Sequence, residues 1–223
     1  MDSQSGKNTK NELKIIVIGD SGTGKTSFVN KWTKDSYSET YKPTIVSEFA
    51  YKIFEFKGKF YRIQIWDLAG QDKNTAITKI FSKDSHGCLV LCDITNKETL
   101  EDTLKWKGSV DEIARFLDGG MLPCVLVQNK IDLVDESVAK DDDEIKKFAD
   151  ENKFDNYFRT SVKMGIGIDE CMEYLIKNII ERSEKINKDG EKNLFEKDKK
   201  NMVLERKKPN ENNNNRSMKN GCC

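Results

Sequence analysis

One histidine, His86, is all that 223 residues contain, and the six cysteines include no Cys-x-x-Cys pair. That scarcity argues against a zinc site, which draws on clustered His and Cys ligands. No stretch approaches the ~20 consecutive apolar residues that cross a bilayer. Residues 1–12 are polar and lack the apolar segment of a secretory signal, and Asp2 stands where N-myristoylation needs glycine. Net charge is absent too, with 38 basic against 38 acidic side chains, so there is no chain-wide positive field to hold nucleic acid. The expected compartment is a reducing cytosol. There Cys88, Cys92, Cys124 and Cys171, which sit in apolar or amphipathic surroundings, act as small buried hydrophobes rather than as disulfides.

What the chain does have is alternation. Apolar, β-branched runs predict strands over 13–19, 48–56, 60–67, 87–94, 124–129 and 157–161. Helical periodicity predicts helices over 25–35, 98–117, 137–152 and 168–186, with one irregular helix within 72–84. The runs Ile15-Ile-Val-Ile18, Leu89-Val-Leu91 and Val125-Leu-Val127 are apolar at consecutive positions, as parallel strands covered on both faces require. Lys57-Gly58-Lys59 is a hairpin signal between two strands. The expected fold is an α/β domain over 12–187, a six-stranded mostly parallel sheet with one antiparallel edge strand and helices on both faces. Residues 1–11 are a polar extension. Over 188–223 the periodicity stops and an Asn-rich tract appears at 210–215. Such a composition cannot bury enough surface to order itself, and a flexible tail of this length reaches roughly 30–35 Å.

Gly19-Asp-Ser-Gly-Thr-Gly-Lys25-Thr26 matches the phosphate-loop pattern G-x-x-x-x-G-K-[ST] between a predicted strand and a predicted helix. In that setting backbone N–H groups meet phosphate oxygens at a helix N-terminus. Ser21, Gly22, Thr23, Gly24, Lys25, Thr26 and Ser27 are therefore expected to cradle a nucleoside triphosphate. Lys25 would place its ammonium on the β- and γ-phosphates and Thr26 its hydroxyl on Mg2+. The plainer alternative is a glycine-rich turn that caps a helix.

Asn129-Lys130-Ile131-Asp132 follows a strand, at the edge where open α/β sheets bind ligands. A carboxylate at Asp132 matches the two adjacent donors of guanine, N1–H and the exocyclic amine. Adenine would leave that charge unpaired. Asn129 can bond the N7/O6 side, and the Lys130 stem can cover the base. Alternatively, Asp132 caps the next helix. Asp67 ends an apolar strand, a position suited to holding Mg2+ through water. Gly70 can offer its N–H to a γ-phosphate, and Gln71, both donor and acceptor, can orient an attacking water. Thr44, in the loop after the first helix, can reach Mg2+ by its hydroxyl and the γ-phosphate by its N–H. Taken singly, Gln71 and Thr44 also read as ordinary surface and loop residues.

Together these motifs resemble the Ras superfamily, and within it the Rab family, over about 12–185 and at the C-terminal end. The resemblance implies a Ras-like G domain of the three-layer P-loop NTPase class. Thr160-Ser161-Val162-Lys163 looks like the family's third guanine motif, which brings Ser161, Val162 and Lys163 to the base, and Tyr37 stands where the family has an aromatic over the guanine edge. Phe49, Trp66 and Phe81 resemble the Rab aromatic triad of the effector surface; as sequence alone they read as core aromatics. Leu104-Lys-Trp-Lys-Gly is similar to the Rabs associated with lysosome-related organelles. Leu68, Asp72, Val162, Asn74 and Val46-Ser47-Glu48 depart from the family pattern. They touch the effector face more than the nucleotide ligands.

The implied activity is a GTP/GDP cycle with Mg2+ and slow hydrolysis, catalysed through Gln71 and accelerated by a GTPase-activating protein, in the regulation of vesicle traffic. Implied partners are an exchange factor, a GDP-dissociation inhibitor, effectors and the prenylation machinery. Cys222 and Cys223 are the implied geranylgeranylation sites, since two lipid chains anchor stably where one is marginal. Unmodified thiols are the alternative there. The implied location is the cytoplasmic face of an intracellular membrane, with a cytosolic pool. A GTP-binding scaffold with little hydrolysis and a phosphate-loop ATPase or nucleotide kinase are the competing functions.

Overall fold

The structure is a computed structural model that describes residues 11–38, 43–45, 47–70, 76–140 and 142–189. Its six strands, β1 (Glu12–Gly19), β2 (Ser47–Phe56), β3 (Lys59–Leu68), β4 (Gly87–Asp93), β5 (Cys124–Asn129) and β6 (Asn156–Thr160), form one sheet in the order β2-β3-β1-β4-β5-β6. Every pairing is parallel except the β2–β3 hairpin, where Ser47 through Phe56 run opposite Leu68 back to Lys59. The central strands β1, β4 and β5 are buried along almost their whole length. Continuous apolar runs are what two covered faces demand.

The helices are α1 (Lys25–Lys34), α2 (Ala76–Ser82), α3 (Lys97–Asp111), α4 (Glu136–Lys140), α5 (Asp143–Glu151) and α6 (Ile168–Asp189). α1 and α6 pack together on one side of the sheet, and α2 and α3 meet on the other. The α6 stripe of Cys171, Met172, Leu175, Ile176, Ile179 and Ile180 is buried, the spacing of a helix that turns one face inward. All four described cysteines are buried free thiols.

Two helices differ from the sequence expectation. The helix expected over 98–117 ends at Asp111, because Ala114 and Phe116 leave it to enter the core. The helix expected over 137–152 is two, α4 ending at Lys140 and α5 starting at Asp143 after Asp142. Aspartate favours helix starts over interiors, and the Asp142 carboxylate pairs with Arg159 at 3.1 Å. No described helix is long and apolar enough to cross a membrane.

Candidate functional site

The carboxyl ends of β1, β3 and β5 open onto one cavity of about 560 Å3, a volume in the usual range of small-molecule sites. The phosphate loop enters from β1 and hands over to α1 at Gly24, whose φ of 96° is left-handed. A Cβ there would also lie 2.4 Å from Asn129 Nδ2. Glycine is thus needed for backbone angle and for space. Lys25 is almost wholly buried, and its Nζ donates to the carbonyls of Gly19 at 2.8 Å and Asp20 at 2.9 Å. Burial pushes its pKa down to about 8 against the opposing pull of Asp67 and Asp20. A phosphate would reverse that cost by pairing the cation.

Beside Lys25, the Thr26 hydroxyl donates to Asp67 Oδ2 at 2.5 Å and stands 2.9 Å from the Thr44 hydroxyl. Asp67 is 1% exposed, and its Oδ1 finds no hydrogen-bond partner among the described residues. Burial pushes this carboxyl up to about 6; the Thr26 bond and Lys25 pull it down, and Glu48 pushes it further up. An orphaned buried carboxylate oxygen beside two hydroxyls is an all-oxygen donor set, which fits Mg2+, a hard ion that keeps waters and takes few protein ligands. Among the described residues no group of three His, Cys, Asp or Glu side chains gathers as a metal cage. Ser21 N donates to the Gly70 carbonyl at 3.0 Å, and a Cβ on Gly70 would fall 2.5 Å from Lys25 Nζ. Gly70 therefore lies against the loop with no room for a side chain.

The base end is held together by Asn129, 2% exposed. Its Nδ2 donates to the Thr23 carbonyl at 2.9 Å, while its Oδ1 accepts from Thr160 Oγ1 at 3.0 Å and Val162 N at 3.3 Å. One side chain thus ties the phosphate loop, β5 and the loop after β6, with a second amide hydrogen left for a base. Lys130 adopts a left-handed φ of 70° and pairs with Asp93 at 2.6 Å. Asp132 is exposed toward the cavity and accepts from Ser161 Oγ at 2.5 Å.

Of the residues expected at the nucleotide, Ser21, Gly22, Gly24, Lys25, Thr26, Ser27, Tyr37, Thr44, Gly70, Asn129, Lys130, Asp132, Val162 and Lys163 line the cavity. Thr23 and Ser161 are buried behind it, Thr23 through its carbonyl on Asn129 and Ser161 through its hydroxyl on Asp132. Gln71, Cys222 and Cys223 lie outside the described residues, as do Val46, Asp72 and Asn74. Asn30, Ser36, Ser38 and Leu133 line the cavity without having stood out in the sequence, since no motif marks them, and Glu48, noted there as a departure on the effector face, lines it too. Asp93 had only a faint signal, its place at the carboxyl end of a buried strand.

Away from the cavity, Trp66 stacks against Phe49 at 5.0 Å and Phe81 at 4.9 Å between ring centres. Phe49 is 47% exposed and Trp66 and Phe81 are part-buried, so the three make a continuous aromatic face beside Asp67.

Comparison with known proteins agrees with this geometry. The Ras family profile matches residues 14–181. The chain is 36% identical over 172 residues to Ras-related protein Rab-7L1 of Homo sapiens, covering 77% of this chain and 84% of that one. It is 34% identical over 169 residues to Ras-related protein Rab-32 of Sus scrofa, covering 75% and 74% of the two chains. Against Ras-related protein Rab-32A of Dictyostelium discoideum it is 33% identical over 176 residues, covering 78% and 80%.

Proposed function

The chain belongs to the Ras family, with Rab proteins among its relatives, and from that premise we propose that it is a Rab-type GTPase of membrane traffic. It binds GTP and GDP, hydrolyses GTP, and engages partners that tell the two states apart. The observation that carries this reading is the convergence of the phosphate loop, Thr44, Gly70 and Asp132 on one cavity.

The residues divide the work by position. Backbone N–H groups of the loop and the Lys25 ammonium take the phosphates. Asp132, oriented by Ser161, accepts from the guanine edge, and Asn129 reaches its other side. Thr26, Thr44 and, through water, Asp67 would hold Mg2+, which when bound neutralises charge on the β- and γ-phosphate oxygens. Gln71 orients the water that attacks the γ-phosphorus. Thr44 and Gly70 sense the γ-phosphate, and each leads directly into an element of the aromatic face: Thr44 into β2 with Phe49, and Gly70 back into β3 with Trp66. Loss of the γ-phosphate releases both segments, and effectors that read the face let go. An activating protein supplies an arginine, worth on the order of 10³–10⁵ in rate. An exchange factor reloads GTP. Prenyl groups on Cys222 and Cys223 attach the chain to the cytoplasmic face of an intracellular membrane, and a GDP-dissociation inhibitor returns it to the cytosol.

Competition on the purified full chain tests the nucleotide reading. GTP and GDP are expected to displace labelled GDP, while ATP fails even at thousandfold excess. Equal competition by ATP would remove the guanine assignment. Gln71→Leu is expected to slow single-turnover hydrolysis at least tenfold with nucleotide affinity unchanged. In cells, replacing both Cys222 and Cys223 by Ser is expected to shift the chain from membrane to cytosol.

A further inference from the structure

Trp106 sits in Leu104-Lys-Trp-Lys-Gly on α3, outside every nucleotide motif, and is wholly buried. Its indole N–H donates to Asp20 Oδ1 at 2.7 Å, across 86 residues of sequence. Asp20 is the turning point of the phosphate loop. Its carbonyl accepts from Lys25 Nζ at 2.9 Å and from Thr23 Oγ1 at 2.9 Å. Its neighbour Ser21 donates to the Gly70 carbonyl, and a Cβ on Gly70 would stand 2.6 Å from the Asp20 carbonyl carbon. The loop, Lys25 and Gly70 therefore all meet at this residue.

A carboxylate here is hazardous to a phosphate site. Turned inward, it would neutralise the Lys25 ammonium, whose field it already feels, or repel the incoming anion. The indole N–H is a donor with no acceptor capacity, and a bond to a charged acceptor is about twice as strong as a neutral one. Fixed in a buried helix face, it holds the Asp20 carboxylate toward α3. The Asp20 carbonyl is left facing Lys25.

We propose that Trp106 is a positioning residue for the nucleotide site, acting through Asp20 to set the phosphate loop and to keep the Asp20 carboxylate off Lys25. The proposal rests on the nucleotide-binding reading above. It is tested on the full chain loaded with fluorescent GDP and chased with unlabelled GDP. Trp106→Phe keeps an aromatic ring and removes the N–H, and Asp20→Ala removes the acceptor. Each is expected to speed GDP release about tenfold, the order for one hydrogen bond to a charged group, and the double variant is expected to release no faster than either one. A merely structural tryptophan would lower thermal stability and leave release within twofold of the parent, which overturns the proposal. Effects that multiply in the double variant to about a hundredfold overturn it as well. Should Trp106→Phe fail to fold, the Trp106 indole N–H resonance decides. It is expected to move upfield in Asp20→Ala, and an unmoved resonance refutes the bond. If the parent chain itself retains no GDP, the nucleotide reading falls, and this inference with it.

Discussion

Lys25 and Asp67 are opposite charges that the fold buries within reach of each other's field, and each is displaced in the direction burial dictates, Lys25 down to about 8 and Asp67 up to about 6. Between its ordinary value of 3.8 and about 6, Asp67 binds more proton in the folded chain than in the unfolded one. Its contribution to stability therefore falls as pH rises through that window, and its full cost stands above pH 6. Lys25 is the mirror case. Folded, it binds less proton than unfolded between about 8 and 10.5, so its contribution rises with pH across that range. On the proposed function both costs would be relieved by ligands, the cation by phosphate and the carboxylate by Mg2+. Asp67→Asn, which removes the buried charge and keeps an oxygen to accept from Thr26, is accordingly expected to stabilise the nucleotide-free, metal-free chain at pH 7.5 by about 1–3 kcal/mol. If Asp67 holds Mg2+ as proposed, the same change should also bring the GDP release rates measured with Mg2+ and with EDTA together. Thermal melts and release rates with and without EDTA check both halves. A loss of stability on removing this carboxylate would contradict the account.

At the scale of elements, the segment between α3 and β5 shows how tertiary contacts outweigh helical periodicity. Arg182 of α6 grips Asp118 with Nε at 2.8 Å and one terminal nitrogen at 2.6 Å, and donates to the Met121 carbonyl at 2.8 Å. Its guanidinium lies over the Phe116 ring at 4.4 Å. Planar, bidentate and stacked, this is a contact lysine cannot reproduce. It draws Phe116 inward and ends α3 at Asp111. Arg182→Ala is expected to cost about 1–2 kcal/mol and to raise hydrogen exchange across 112–122. GDP release should stay as in the parent, since the clamp lies outside the nucleotide cavity. Lys52 secures β2 in a similar way, donating to the Trp32 carbonyl at 2.8 Å while lying 4.6 Å over the Trp32 ring. The strand that carries Phe49 is thereby fastened to the helix that starts at the phosphate loop.

For the molecule as a whole, the buried apolar cluster runs from Leu13 to Ile180, with Ile186 partly buried against it. A chain truncated after Asp189 is therefore expected to keep its GDP affinity and to melt within about 2 °C of the parent, because every described member of that cluster lies within the residues it keeps. In cells it should stay cytosolic, since it lacks both terminal cysteines. A drop of 5 °C or more would show that 190–223 packs on the domain.

Much of this was legible in residue types. The runs at Ile15–Ile18 and Leu89–Leu91 read as covered strands, because short β-branched runs that are apolar at consecutive positions suit strands buried on both faces. The Gly-rich loop before Lys25 and the carboxylate at Asp132 were singled out by what phosphate and guanine can bond, and the structure brings both to one cavity. Tertiary structure alone decided how the parts lean on one another. It placed Ser161 on Asp132, made Asn129 a tie between three segments, set Lys130 against Asp93, and aimed Trp106 at Asp20. These contacts join residues tens of positions apart. A local pattern records which side chains are apolar or charged, but the direction in which a buried donor points is set only when its helix is docked against the sheet.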